Sequence, residues 1–284
     1  MTANHMCPLF LCLVFLTGSC DGGAETPVPR REASTPPVAR PYRVVHIFVA
    51  LCDNTHQGIV PVPAKLGNGQ DPKNNLYWGA MYGADAFFAR SPHWKRVAVE
   101  GAPRRGEILA RTAFVATVGK KKVTVVMDAY DGRHMKATLT DFLDACAGGL
   151  SATFTLKTDN GKQHPDAGGR ADLVCFVGHN GLMDLTLETT PTRRGKTGPE
   201  AAVVLACRSR AYFAGPLRKA GCRGLLLTTG LMAPEAYTLD AAIRSWASDE
   251  APEKVLAASA SAYATYQKCS GRAARRLFFS EAKR

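Results

Sequence analysis

The chain has no Walker or dinucleotide glycine pattern following a hydrophobic run, so it gives no ground for a nucleotide cofactor. No His or Cys pair has zinc-site spacing, and no metal is expected. The nine cysteines are scattered rather than spaced as a framework, so the fold is expected to rest on its core and not on disulfides. Past residue 20 no apolar run is long enough to span a bilayer, which leaves a body expected to be soluble. Acidic side chains are few: 24 Asp and Glu against 36 Lys and Arg leave a net charge of +12. The excess falls in loop-like stretches such as Lys120 to Lys122 and in a tail, Arg272 to Arg284, where it reads as solvated charge. No aromatic-interleaved basic stripe or finger spacing accompanies it, so no specific nucleic-acid partner is expected. No internal repeat is present.

What is present starts with an export segment. Pro8 to Leu16 (PLFLCLVFL) is a short hydrophobic core followed by the small residues Thr17, Gly18 and Ser19 and then Cys20, which is signal-peptide architecture over residues 1–20. The segment resembles a bacterial lipoprotein signal, and the resemblance implies a lipid on Cys20 that anchors the chain to a membrane. Ordinary cleavage after Ser19 or Ala24 is the alternative. Either route places the protein outside the cytoplasm, in the periplasm or cell envelope. Residues 21–41 are rich in Pro, Gly, Glu and Arg without apolar periodicity and read as a disordered linker.

One domain is expected over 42–284. Val44 to Leu51 (VVHIFVAL) is a strand whose near-continuous hydrophobicity implies cover on both faces. Asn74 to Arg90 reads as a helix with Tyr77, Trp78 and Tyr82 as packing residues. Trp94 to Val99 is a short strand, and Ile108 to Thr117 with Val123 to Ala129 form a hairpin across Gly119 to Lys122. Met135 to Ala147 is a helix ended by Gly148 and Gly149. Two further buried strands, Leu173 to Val177 and Ala202 to Ala206, precede a helix over Ser209 to Ala220 that contains Pro216. A strand at Leu225 to Thr228 and helices at Leu239 to Trp246 and Pro252 to Lys268 complete the alternation. That order predicts a layered α/β fold with a mainly parallel central sheet.

The chemistry sits at the ends of two of these strands. LVCFVGHNG ends in His179 and AVVLACRS ends in Cys207. If the two strands are parallel neighbours, both side chains leave the sheet at one carboxyl edge, where open α/β folds place their crevices. A cysteine becomes a nucleophile when a helix N-terminus, cations or a histidine assist it, and Cys207 has a helix start after it, Arg208 and Arg210 beside it and His179 across the neighbouring strand. Backbone N–H groups of the turn at Gly178, Asn180 and Gly181 are candidates to face a developing oxyanion. Asp53, after the first strand, reaches the same edge and is a candidate for binding a basic substrate side chain, although capping its own loop is the commoner role. Asp184 is placed to orient the imidazole. His46 reads as a core histidine, and His56, His93, His134 and His164 as exposed loop residues.

A hydrophobic block ending in His-Gly, a spacer and a second block ending in Ala-Cys is the signature of the caspase-like cysteine peptidases, which the two blocks resemble. The resemblance implies a three-layer caspase-like fold, His179 as general acid/base, Cys207 as the nucleophile of an acyl-enzyme, a polypeptide substrate and no cofactor. Asn180 stands where the family has glycine directly after histidine, and the oxyanion N–H falls to Asn180 or Gly181. The alternative is a non-catalytic member of the same fold, a binding or scaffold protein of the cell envelope.

Overall fold

A computed structural model describes residues 42–101, 103, 105–159, 161–194 and 198–281. The export segment with Cys20 and the linker at 21–41 lie outside the described residues. Along the rest run strands β1 (Tyr42–Ala50), β2 (Lys95–Glu100), β3 (Ile108–Val118), β4 (Lys121–Tyr130), β5 (Ser151–Thr153), β6 (Thr155–Thr158), β7 (Gly161–Gln163), β8 (Asp166–Gly168), β9 (Leu173–Val177), β10 (Ala201–Leu205), β11 (Arg223–Thr228) and β12 (Phe278–Phe279). The helices are α1 (Ala84–Arg90), α2 (Met135–Cys146), α3 (Ser209–Lys219), α4 (Ala236–Ala247), α5 (Pro252–Gln267) and α6 (Gly271–Leu277).

The fold is α/β, built on a large mixed sheet in the order β12-β11-β10-β9-β1-β4-β3-β2-β6-β7. Neighbours from β11 to β4 pair in parallel, whereas β12 at one side and β3, β2, β6 and β7 at the other add on antiparallel. The expected mainly parallel sheet therefore describes the central block only. Tight turns account for the antiparallel β3–β4 and β6–β7 pairs, whereas β2–β6 and β11–β12 join segments far apart in the chain.

Alternation along β1 divides the core. Val45, Ile47 and Val49 face one side with Phe88 of α1, Leu239 and Ile243 of α4, and Val255 of α5. Val44, Phe48 and Ala50 face the other with Leu139 and Phe142 of α2 and Phe213 of α3. Helices thus cover both faces, which is what the uninterrupted apolar strands require.

Inside that core lies a charged group. Asp128 of β4 is 1% exposed and accepts from Arg111 Nε at 2.5 Å and Nη2 at 2.8 Å. His46 of β1, also 1% exposed, completes it with Nε2 at 3.2 Å from Asp128. The N–H of Gly168 donates to His46 Nδ1 at 3.1 Å, so Nδ1 carries the lone pair and Nε2 the proton. Burial opposes ionisation of Asp128, but hydrogen bonds from Arg111 and His46 outweigh it and hold the carboxyl below the usual carboxylate range.

Two segments depart from the expectations. The stretch 74–83 is a series of turns, and helix begins only at Ala84. Asn75, fully buried, is responsible: its Oδ1 accepts from the N–H of Cys52 at 3.0 Å and its Nδ2 donates to the carbonyl of Cys52 at 2.8 Å. This side chain pairs with the end of β1 as another backbone would, and it holds the loop away from helix. The basic stretch after Arg272 is not a free tail over its described part, since α6 and β12 occupy it and β12 pairs with β11.

Lys268 ends α5 in left-handed backbone (φ 54°), and the N–H of Cys269 returns to the carbonyl of Ala264. Glycine adopts that conformation without the Cβ penalty. Lys268→Gly is therefore expected to raise the melting temperature by about 1–3 °C; a lowered value in a thermal melt would contradict this account of the cap.

Candidate functional site

β9 and β10 are parallel neighbours, with Val174 opposite Ala202 and Val177 opposite Leu205. In both strands the odd-numbered residues, Cys175 and Val177 in one and Val203 and Leu205 in the other, belong to the same core. His179 and Cys207 each follow by two residues the end of one of these neighbouring strands, at the same carboxyl edge of the sheet. Two hydrogen bonds extend the pairing past the strand ends. The N–H of Gly178 donates to the carbonyl of Leu205 at 3.2 Å, and Nδ2 of Asn180 donates to the carbonyl of Cys207 at 2.7 Å. Gly178 is required here, because its φ is +149° and a Cβ would lie 2.8 Å from the carbonyl oxygen of Ala50.

Directly after Cys207 the chain turns into α3. Arg208 adopts left-handed backbone (φ 52°), a conformation that costs a non-glycine residue about 1 kcal/mol or more. The surroundings enforce it. Ser209 N–H donates to Thr228 Oγ1 at 3.0 Å, Thr228 N–H to Ser209 Oγ at 2.8 Å, and Ser209 Oγ to the carbonyl of Val204 at 3.0 Å. The Thr228 hydroxyl donates to the carbonyl of Ala206, and Arg208 N–H to the carbonyl of Gly230 at 2.8 Å. Cys207 thus sits on a sharp strand–turn–helix corner tied to β11 on both sides. Its half-buried sulfur accepts from the N–H of Met232 at 3.4 Å, and its thiol donates to the Met232 carbonyl at 3.6 Å.

His179 keeps 11% of its side chain exposed and pairs through Nε2 with the carboxylate of Asp184, itself 45% exposed. A carboxylate on Nε2 holds the ring proton there and makes Nδ1 the accepting nitrogen of the ring. Of the two expected oxyanion donors, Gly181 has its N–H turned back onto the carbonyl of His179 at 3.0 Å, which leaves the N–H of Asn180 as the candidate.

Of the other described cysteines, Cys52, Cys146, Cys175 and Cys222 are buried and Cys269 is half-buried. Burial pushes the Cys52 thiol up to about 11 against a pull from Tyr77, and burial raises Cys175 and Cys146 as well. Tyr77 lies near both Cys52 and Cys207; burial first, then these thiols, push its hydroxyl well above the ordinary tyrosine range, so it acts as a neutral group. Asp53 is buried, and its oxygens accept from Thr55 N–H at 2.9 Å, His56 N–H at 3.0 Å and Gln70 Nε2 at 2.8 Å. Burial opposes its ionisation, yet these donors hold the carboxyl below its usual range. Among the described residues no group of three or more His, Cys, Asp or Glu is arranged to hold a metal ion, and no helix is long and apolar enough to cross a membrane.

Met232 and Tyr77 were not foreseen as neighbours of the sulfur. The one signal for Met232 was positional: the loop after β11 leaves from the same carboxyl edge as those carrying His179 and Cys207. Comparison with protein-family models, curated proteins and solved structures finds no match for this chain.

Proposed function

We propose that the protein is a cysteine peptidase, or a closely related hydrolase, with a divergent caspase-like three-layer fold. The observation that supports this reading is the parallel pairing of β9 with β10, whose ends lead into the turns that carry His179 and Cys207, together with the hydrogen bond from Asn180 to the Cys207 carbonyl that joins those turns. In the proposed reaction His179 takes the Cys207 proton and the sulfur attacks a substrate carbonyl. The imidazolium then returns the proton to the leaving amine, and water, activated by the same ring, releases the acid and the thiol. Asp184 orients the ring. The N–H of Asn180 is the oxyanion donor, and Asp53, with its oxygens committed within its loop, has no direct part in the chemistry. Export to the cell envelope, with or without a lipid on Cys20, belongs to this proposal and rests on the N-terminal sequence.

A non-catalytic scaffold is the second reading. What favours it is the sulfur's double engagement with the backbone of Met232, which covers the thiol. Alkylation of the full chain, followed by peptide mapping, separates the two. Cys269 is the control, being the other half-buried thiol among the described residues. An activated Cys207 should react at least about tenfold faster than Cys269 and lose that advantage in His179→Ala; equal rates in the unmodified sequence would leave the scaffold reading in possession.

A further inference from the structure

We propose that the side chain of Asn180 is a positioning residue that locks the histidine turn to the cysteine turn; the inference rests on the dyad reading of His179 and Cys207. Asn180 follows the histidine directly, and its amide crosses to the residue that bears the sulfur, donating to the Cys207 carbonyl at 2.7 Å. A carbonyl only accepts, so the bond fixes which end of the amide is nitrogen. The other end, Oδ1, is buried and has no hydrogen-bond partner, although the residue is 0% exposed. A buried amide with an orphan oxygen is an expensive choice for filling space, and an apolar side chain would fill it without that cost. What the amide supplies is the tether. It holds the Cys207 carbonyl immediately before the left-handed turn at Arg208, and the orientation of that peptide helps set where the sulfur points. At the other end the His179 loop is closed by Gly181 N–H to His179 and by Met183 N–H to the Asn180 carbonyl at 3.0 Å, so a shift of Asn180 carries the imidazole with it. The departure from a His-Gly motif then has a structural purpose: glycine has no side chain with which to make this bridge.

The test measures the rate of Cys207 alkylation by iodoacetamide as a function of pH, in the full chain and its variants, with Cys269 as internal control. Asn180→Ala removes the donor, and Asn180→Leu removes it while keeping the side-chain volume. Both are expected to slow Cys207 labelling at neutral pH by about 10- to 100-fold and to move its pH profile toward that of His179→Ala, with Cys269 unchanged. Should Asn180→Ala fail to give a cooperative melt, Asn180→Leu, which leaves no cavity, carries the test. An unchanged rate and profile in the folded Asn180 variants, alongside a slowed His179→Ala, would overturn the tether and leave the dyad standing. An unchanged profile in His179→Ala would remove the dyad and the tether with it.

Discussion

Cys207→Ala is expected to abolish cleavage of a peptide library by at least about 10³-fold while leaving the thermal melt within about 1 kcal/mol of the parent. The sulfur's polar contacts are two weak ones to Met232, so its removal opens little of the core. His179→Ala should fall to a similar rate, because a nucleophile and its base act as a unit and their losses do not add. Asp184→Asn should fall less, since a partner 45% exposed can be replaced in part by water. Mass spectrometry of library digests reads all four proteins side by side. Cleavage that survives in Cys207→Ala would assign the activity to another group; a parent that cuts nothing would leave the fold without the proposed chemistry.

Asp128→Ala is expected to be the most damaging change away from the site. Arg111, only 13% exposed, would keep its charge and lose its bidentate acceptor, and breaking such a buried pair costs about 3–5 kcal/mol. In a body of this size that is a fall in melting temperature of about 6–20 °C. The pH dependence has a definite sign. Because the folded carboxyl titrates below its unfolded value, its contribution is complete above the unfolded value, about 3.9 for aspartate, and disappears as the pH falls through the folded one. Acid should therefore destabilise the parent more steeply than Asp128→Asn below about pH 4. Replacing both ion-pair partners, Asp128→Leu with Arg111→Met, should recover part of the loss, with the buried His46 N–H left unpaired. A double variant as unstable as Asp128→Ala would show that the fold needs this polar group for more than charge balance.

The parallel block was legible because strands buried on both faces must be apolar at every position, and VVHIFVAL, LVCFV and AAVVL are nearly so. The ends of those runs then gave His179 and Cys207. The failures share a cause, in that tertiary hydrogen bonds decided them. Residues 74–83 carry an apolar stripe suited to a helix, but buried Asn75 binds both backbone groups of Cys52, and no local pattern signals that partner. In Gly271–Leu277 the arginines masked a helix with a readable start, since Ser270 caps it by accepting from Ala273 N–H at 3.2 Å. Its buried side is a single small residue, Ala274, too little to register as periodicity. At the site, the Asn180 amide and the Met232 backbone meet Cys207 from 27 and 25 residues away, so neither was visible as a neighbour in the chain.

The last described residues also guard one side of the molecule. Phe278 and Phe279 pair with Thr228 and Leu227, and Glu281 continues along the same strand, its N–H on the Gly224 carbonyl at 2.9 Å and its carboxylate on the Gly224 N–H at 2.7 Å. A protease nick after Leu277 would strip this cover and bare the backbone of β11, a ready template for another chain. Damage there would show first as edge-to-edge clumping of otherwise folded molecules.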